Sequence, residues 1–142
     1  MLWTLVGKKL ARIEGWGWVA QSTEDREAVK AALQAGPLAC SMEIYSDFGN
    51  YKRGIYEPTS SAFLNGYHSV IIVGYDEDED YWICKNQWRL SWGEDGYFKI
   101  KMGVCGIGKW LIKAWGIYIN NRPPEMGTIG EKIVKEGQEI SF

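Results

Sequence analysis

Apolar and polar residues alternate along much of this 142-residue chain, and the alternation predicts β strands. In the clearest segment, 38–45, one side of the predicted strand carries Leu38, Cys40, Met42 and Ile44, and the other carries Ala39, Ser41, Glu43 and Tyr45. Further apolar runs predict strands at about 68–75, 81–87, 96–101 and 110–119. The pattern therefore indicates a mainly β chain.

One short helix is predicted upstream of residues 38–45. Ser22 and Asp25 fit a capping box, which places a carboxylate near the free amides of the first helical turn. A narrow apolar stripe at helical spacing follows, formed by Ala28, Val29, Ala32 and Leu33. Gly36 and Pro37 then end the helix.

Size and composition limit the class of protein. The chain is 46% hydrophobic and 24% charged, which is typical of a globular protein, and its length suits one domain with a real core. The net charge is -2 and no basic run occurs, so no nucleic-acid partner is predicted. No apolar run approaches the ~20 residues that cross a bilayer, so no membrane span is predicted, and the first residues make a poor signal peptide.

Neither the cysteines nor the acidic residues predict a metal site or a cofactor. The chain has three cysteines, Cys40, Cys84 and Cys105, and an odd count leaves at least one thiol unpaired. Cys40 and Cys84 lie within apolar runs and are predicted to be small buried residues. The five acids at 76–80 lack the spaced ligands and the glycine of a calcium loop, so a solvated hairpin turn is predicted there.

Residues 66–100 carry the most chemical information. They read G-Y-H-S-V-I-I-V-G-Y, an acidic turn, and Y-W-I-C-K-N-Q-W-R-L-S-W-G-E-D-G-Y-F-K-I, and they contain the only histidine, His68. This pattern resembles the second half of the papain-like cysteine peptidases, where a His opens a V-G-Y strand and K-N-S-W-G-x-S-W-G-E-x-G-Y follows. The resemblance implies an α+β, papain-like fold and its mainly β lobe: a twisted antiparallel sheet or open barrel with one short helix.

The resemblance also implies a role for each residue of a catalytic group. His68 would act as general base and acid, and the Asn86 side-chain oxygen would accept its second ring N–H and so fix the tautomer. Trp88 would shield the His–Asn hydrogen bond from water, and Trp92 would form a floor for substrate residues beyond the cleaved bond. Each of these residues would otherwise be an ordinary structural residue, so the surrounding motif carries the assignment.

Specificity in this family comes mainly from the pocket for the second residue before the cut. Its wall is implied here by Ser41, Tyr67 and Ser69, and Tyr67 is expected to narrow the pocket or to add an aromatic wall. The loop between the two tryptophans departs from the family pattern, since Gln87 replaces Ser and Arg89–Leu90 replaces Gly-Thr. That loop is therefore bulkier and charged.

Half of the catalytic machinery is not matched by this sequence. The family carries its nucleophilic Cys and its oxyanion-hole Gln in the first half, and no C-G-S-C-W-like segment occurs in these 142 residues. The implied partners are a peptide or protein substrate and the N-terminal helical lobe of the same protein. The isolated chain is expected to be inactive and, with an apolar face uncovered, to self-associate.

The composition changes near Asn120. N-N-R-P-P-E-M-G-T-I-G-E-K-I-V-K-E-G-Q resembles the opening of an immunoglobulin- or cadherin-like repeat of bacterial surface proteins. The predicted organisation is a peptidase half at 1–119, a linker at 120–126 and a truncated repeat at 127–142, which implies an extracellular or cell-surface location. Two alternatives stay open: a non-catalytic peptidase-like binding module, and a surface adhesion segment.

Overall fold

The structure is a computed structural model that describes residues 3–6 and 9–120. Within them the chain forms one α-helix, α1 (Arg26–Leu33), and ten strands. The strands are β1 (Trp3–Val6), β2 (Lys9–Arg12), β3 (Gly15–Ala20), β4 (Leu38–Tyr45), β5 (Ile55–Tyr56), β6 (Leu64–Asp76), β7 (Tyr81–Lys85), β8 (Tyr97–Lys101), β9 (Leu111–Trp115) and β10 (Tyr118–Asn120). Asn120, predicted as the first linker residue, ends β10, and the rest of the linker and the predicted repeat at 127–142 lie outside the described residues.

The chain divides into two compact units. The described residues of the smaller unit lie within 3–16 and 114–120, and they include a three-stranded sheet in the order β1-β2-β10. Both pairings are antiparallel, with Trp3 and Tyr118 each opposite Arg12.

The larger unit, residues 17–113, contains most of a seven-stranded sheet in the order β3-β9-β4-β6-β7-β8-β5. The pairs β4–β6, β4–β9, β6–β7 and β7–β8 are antiparallel, and only the short β5 runs parallel to its neighbour β8 among the described pairings. The sheet is open, with β3 and β5 at its edges. A mainly antiparallel sheet with one short helix agrees with the predicted fold class.

The observed strands follow the hydrophobic pattern. β4 has the predicted bounds, and its alternation places Leu38, Cys40 and Met42 in the core. β6 is longer than predicted and runs from Leu64 to Asp76, and exposed and less exposed positions alternate over residues 65–74. The strand predicted at 110–119 is wrong as a single element: it is two strands, because Gly116 between them takes a φ of 61°.

Helix α1 begins slightly later than its capping signal suggests. Asp25 is the N-cap residue, and its carboxylate accepts a hydrogen bond from the Ser22 backbone N–H at 3.2 Å. The Ser22 hydroxyl accepts from the Glu24 backbone N–H rather than from that of Asp25. One half of the predicted capping box is therefore present, and a turn separates Ser22 from the helix.

The acidic turn at 76–80 is the predicted solvated hairpin turn, between β6 and β7, and residues 77–79 are exposed. Two of its acids also pair with cations. Arg26 lies 2.8 Å from the Asp80 carboxylate, and Lys30 lies 2.6 Å from that of Glu77. These cations stand on α1, which packs against β6 and so brings them to the turn.

In the described part of the chain, no helix is long and apolar enough to cross a membrane.

Candidate active site

Neighbouring strands bring His68 and Asn86 together. β6 and β7 form an antiparallel hairpin in which Ile71 is opposite Lys85, so the residue after β7 lies beside the earlier part of β6. His68 and Asn86 are 18 residues apart in sequence, yet the His68 Nε2 and Asn86 Oδ1 atoms are 2.9 Å apart. The structure thus forms the contact that the sequence motif predicted.

A second hydrogen bond fixes which ring nitrogen of His68 carries the proton. The Gln87 backbone N–H donates to Asn86 Oδ1 at 2.8 Å. A backbone N–H can only donate, so the atom that faces it is the amide oxygen and not the amide nitrogen. Since that oxygen only accepts, His68 Nε2 is the donor in the other bond. The neutral imidazole therefore carries its proton on Nε2, and Nδ1 keeps a free lone pair.

Asn86 is held firmly in a buried position. The residue is 6% exposed, and its backbone N–H donates to the Gly96 carbonyl at 2.8 Å. Its Nδ2 atom is buried without a hydrogen-bond partner among the described residues. An unsatisfied buried donor is unfavourable by about 1–3 kcal/mol. Folding stability alone therefore does not favour an asparagine at this position. The hydrogen bond that its side-chain oxygen forms with His68 does favour it.

Trp88 covers the imidazole. The ring centroids of Trp88 and His68 are 4.8 Å apart and the rings are tilted by 38°. Trp88 is half-buried, so its indole keeps solvent from one side of the His–Asn pair. A hydrogen bond shielded from water is stronger than the same bond in solvent, because the local dielectric constant is lower.

A buried aromatic cluster supports the two site tryptophans. Phe48 is fully buried, and its ring lies 5.5 Å from that of Trp88 and 5.2 Å from that of Trp92. Phe48 opens a single 3-10 turn that ends at Asn50, and the Gly49 carbonyl of this turn accepts the Trp92 indole N–H at 3.1 Å. The same turn therefore seats both tryptophans.

Asp47 ties that turn to the following loop. Its carboxylate accepts hydrogen bonds from the Tyr56 hydroxyl at 2.7 Å and from the Thr59 backbone N–H and hydroxyl at 2.9 Å each. Burial by itself raises the pKa of Asp47, but these hydrogen bonds outweigh it and lower the pKa below the ordinary value of 3.8. No local pattern predicted which residues Phe48 and Asp47 contact, since their partners lie in later segments of the chain.

A cavity of about 460 Å³ lies beside the site. Two of the three residues predicted to bind substrate line it, and the complete lining is Trp18, Ser41, Met42, Glu43, Tyr67, Cys105, Gly106, Lys109 and Trp110. Trp18 and Trp110 meet edge to face with their centroids 6.0 Å apart. The alternation of β4 could have identified Glu43, two residues after Ser41, whereas no local pattern brings Trp18 and Trp110 together.

Ser69, the third predicted substrate residue, lines a different cavity. This cavity has a volume of about 320 Å³ and is lined by Ala39, Ser69, Val70, Ile71, Lys85, Asn86 and Gln87. Ser41 and Ser69 are directly opposite each other on β4 and β6. The structure thus places Ser41 and Tyr67 in one cavity and Ser69 in the other.

None of the three thiols is suited to attack a substrate. All are buried, and burial raises the pKa of Cys40 to about 11 and that of Cys105 to about 12. Burial also raises the pKa of Cys84 well above its ordinary value. The thiolate is the nucleophilic form, so these cysteines are unreactive near neutral pH.

An open sheet that carries a covered His–Asn pair next to a cavity of about 460 Å³ is an arrangement typical of the papain-like fold. Residues 5–114 match the family described as "Papain family cysteine protease". The chain therefore belongs to the papain family of cysteine proteases.

Individual relatives agree with this assignment. The chain is 37% identical over 103 residues to Cathepsin B-like protease 1 of Arabidopsis thaliana. This alignment covers 69% of this chain and 27% of that protein. It is 40% identical over 100 residues to Cathepsin B-like CP1 of Giardia intestinalis, covering 68% of this chain and 32% of that protein. The chain thus spans about a third or less of these relatives.

A solved structure establishes the fold. The bromelain protease of Ananas comosus, in complex with the E64 inhibitor, superposes with a TM-score of 0.59 and 26% identity, covering 72% of this chain and 50% of that one. The predicted fold class, a papain-like and mainly β structure with an open sheet and a short helix, is confirmed.

Proposed function

We propose that this chain supplies the base half of a papain-type cysteine peptidase. His68 takes the proton of a cysteine thiol through Nδ1, forms an imidazolium–thiolate pair, and later gives the proton to the leaving amine. Asn86 holds the ring and stabilises the imidazolium by accepting a hydrogen bond from its Nε2–H. The observation that carries the proposal is the 2.9 Å contact between His68 Nε2 and an Asn86 oxygen whose identity the Gln87 N–H fixes.

The nucleophile of this proposal comes from outside the 142 residues. The three cysteines of the chain are buried with raised pKa values, so they do not serve. We propose as the partner the helical lobe of the same protein, which would bear the Cys and the oxyanion-hole Gln. Its docking would cover the apolar surface at Ile71, which is 37% exposed, and would leave Ser69 in the same cavity open to the substrate.

The substrate in this proposal is a peptide or protein. Ser41 and Tyr67, in the larger cavity, and Ser69, beside Asn86, would contact the residues before the cut. Trp92, 8% exposed and held by Gly49, would lie under the residues after it. The mixed lining of the larger cavity, aromatic with one acid and one base, suits a large side chain.

Location and domain organisation are part of the same proposal. We propose that the parent protein is extracellular or at the cell surface, and that residues 127–142 open an immunoglobulin- or cadherin-like repeat after the linker. The family match ends at residue 114, which is compatible with a domain boundary near Asn120.

The test is hydrolysis of a fluorogenic peptide by the full-length parent protein. His68→Ala is expected to lower kcat/KM by about 10³-fold, since general acid–base catalysis contributes 10²–10⁴-fold. Asn86→Ala is expected to lower it by about 10–100-fold, because the imidazole loses its fixed orientation. Asn65→Ala, a change of the same type at an exposed position of β6, should leave kcat/KM unchanged. Equal activity of the Asn86 and Asn65 variants would contradict the proposal.

The coding DNA upstream of Met1 is a simpler check. An in-frame segment like Q-x-x-x-C-G-S-C-W supports an active peptidase. A segment with the cysteine replaced supports the second candidate, a non-catalytic binding module that keeps the peptide cleft. The specific observation in favour of this alternative is that no cysteine of the chain itself has a reactive environment. Turnover by the isolated 142 residues, abolished by His68→Ala, would contradict both.

A further inference from the structure

The loop from Gln87 to Ser91 contains an arginine in a backbone conformation that is unusual for its residue type. Arg89 has a φ of 78°, in the left-handed region where a Cβ atom is crowded by the backbone. The Trp92 N–H donates to the Arg89 carbonyl at 3.3 Å, so this conformation closes the turn that leads into Trp92. A glycine adopts such a φ without strain. The geometry of the turn therefore does not explain why an arginine occupies position 89.

The side chain of Arg89 is available to a ligand. It is exposed, and among the described residues it forms no ion pair. Two acids follow the loop. Glu94 is already engaged, since it accepts from the Tyr51 hydroxyl at 2.6 Å and lies 4.0 Å from Lys99, and the exposed Asp95 forms no ion pair with Arg89 in the structure. A strained residue with a free charged end at a site is a pattern that indicates function.

The position of Arg89 relates it to the peptide site. It directly follows Trp88, whose ring covers His68 at 4.8 Å, and it precedes the buried Trp92 by three residues. The next residue, Leu90, is 73% exposed and lies over Gly96. The loop thus places a cation, Arg89, and an apolar residue, Leu90, at consecutive positions beside the candidate active site.

We propose that Arg89, with Leu90 beside it, binds a carboxylate in the part of the substrate that follows the cleaved bond. This rests on the proposed peptidase site. The planar guanidinium presents a fork of N–H donors that matches a carboxylate with two parallel hydrogen bonds. Leu90 covers the aliphatic part of the same substrate residue. The carboxylate is either an Asp or Glu side chain or the free C-terminus of a short peptide, because both have the same chemistry.

The experiment measures binding of three small peptides to the isotope-labelled full-length parent protein, in which both halves of the proposed peptide site are present. The readout is NMR, through the Arg89 Nε–H signal and the Trp indole signals. The peptides are Ala-Asp-amide, Ala-Asn-amide and Ala-Asn with a free carboxylate. The protein should bind Ala-Asp-amide about fivefold more tightly than Ala-Asn-amide, the upper range for an exposed ion pair, and salt should reduce this preference. Equally tight binding of the free acid identifies the terminal carboxylate as a second source of the same ligand.

Three variants sharpen the measurement. Arg89→Gln keeps the backbone strain but removes the charge, and it should bring the Asp-to-Asn preference close to one. Arg53→Gln changes an exposed arginine in another loop and should keep the preference. Arg89→Gly removes both the charge and the strain. It should lose the preference, while its Tm is no lower than that of the protein without the substitution.

The outcomes separate this inference from the proposed function. Peptide binding with no Asp preference, or a preference that survives Arg89→Gln, overturns the role of Arg89 and leaves the peptide site intact. A lower Tm for Arg89→Gly shows that the arginine holds the turn together, and it overturns the argument from strain. Failure of all three peptides to bind overturns the peptide site together with this inference.

Discussion

The two faces of β6 differ although the same strand forms both. Its inward positions are buried or half-buried, namely His68, Val70 and Ile72, and its outward positions are exposed, namely Tyr67, Ser69, Ile71 and Val73. Ile72 is 0% exposed and its neighbour Ile71 is 37% exposed. His68, the candidate base, therefore lies on the packed face, where neighbouring residues orient its ring. The open face is available for contact with other molecules.

The register of the sheet decides this division. Met42 on β4 is opposite His68, and Ser41 is opposite Ser69. A slip of one residue would exchange the two faces of β6 and would turn His68 away from Trp88. The hydrophobic alternation that folds the strand thus also selects the side on which the imidazole is held.

The largest expected difference between the faces is in folding stability. Ile72→Ala removes a fully buried side chain and should lower the free energy of unfolding by about 2–5 kcal/mol. Ile71→Ala makes the same chemical change on the open face and should lower it by about 1 kcal/mol or less. Urea unfolding measures both. Similar losses for the two variants would show that the outward face is packed in solution, contrary to the structure.

An intermediate effect is expected from the thiols on the packed face. Cys40 is opposite Val70 and Cys84 is opposite Ile72, and burial raises the pKa of both. The pKa of Cys40 rises from 9.0 to about 11. The unfolded chain therefore loses its thiol protons first as the pH increases. The protonated Cys40 thiol therefore contributes to the free energy of unfolding. This contribution is complete below about pH 9 and is lost as the pH rises through about 11.

Comparison of the parent chain with Cys40→Ala isolates this contribution, because the tyrosines titrate in both. The free energy of unfolding of the parent should fall more steeply between pH 9 and 11, by up to about 1.4 kcal/mol for each pH unit. Parallel curves for the two proteins would show that Cys40 titrates normally in the folded state.

Much of this architecture could be predicted because it depends on local signals. The alternation at β4, the glycine and proline after α1, and the spacing from His68 to Asn86 are all visible in the sequence. They predicted the strand bounds of β4, the helix and the hairpin that brings His68 beside Asn86.

The remaining features depend on long-range packing and on backbone geometry. Phe48 contacts Trp88 forty positions later, and Trp18 contacts Trp110 across most of the chain. The positive φ of Arg89 likewise cannot be inferred from its residue type, which disfavours it. The cavity, the aromatic support and the strained loop therefore became apparent only in three dimensions.

The smallest expected effect on stability concerns the outward face, where the effect on association should be clear. Ile71 and Val73 are each 37% exposed, and with Tyr67, 72% exposed, they form an apolar row on β6. Such a row favours contact between copies of the chain. Replacing Ile71 and Val73 together by lysine should shift the chain toward monomer in sedimentation, because like charges then face each other across the contact. Replacing the exposed Ile55 by lysine is the control and should leave the association unchanged, since Ile55 lies on the edge strand β5, three positions from β6 in the sheet. If the Ile55 variant dissociates the chain equally, net charge governs association, and the open face of β6 has no special part in it.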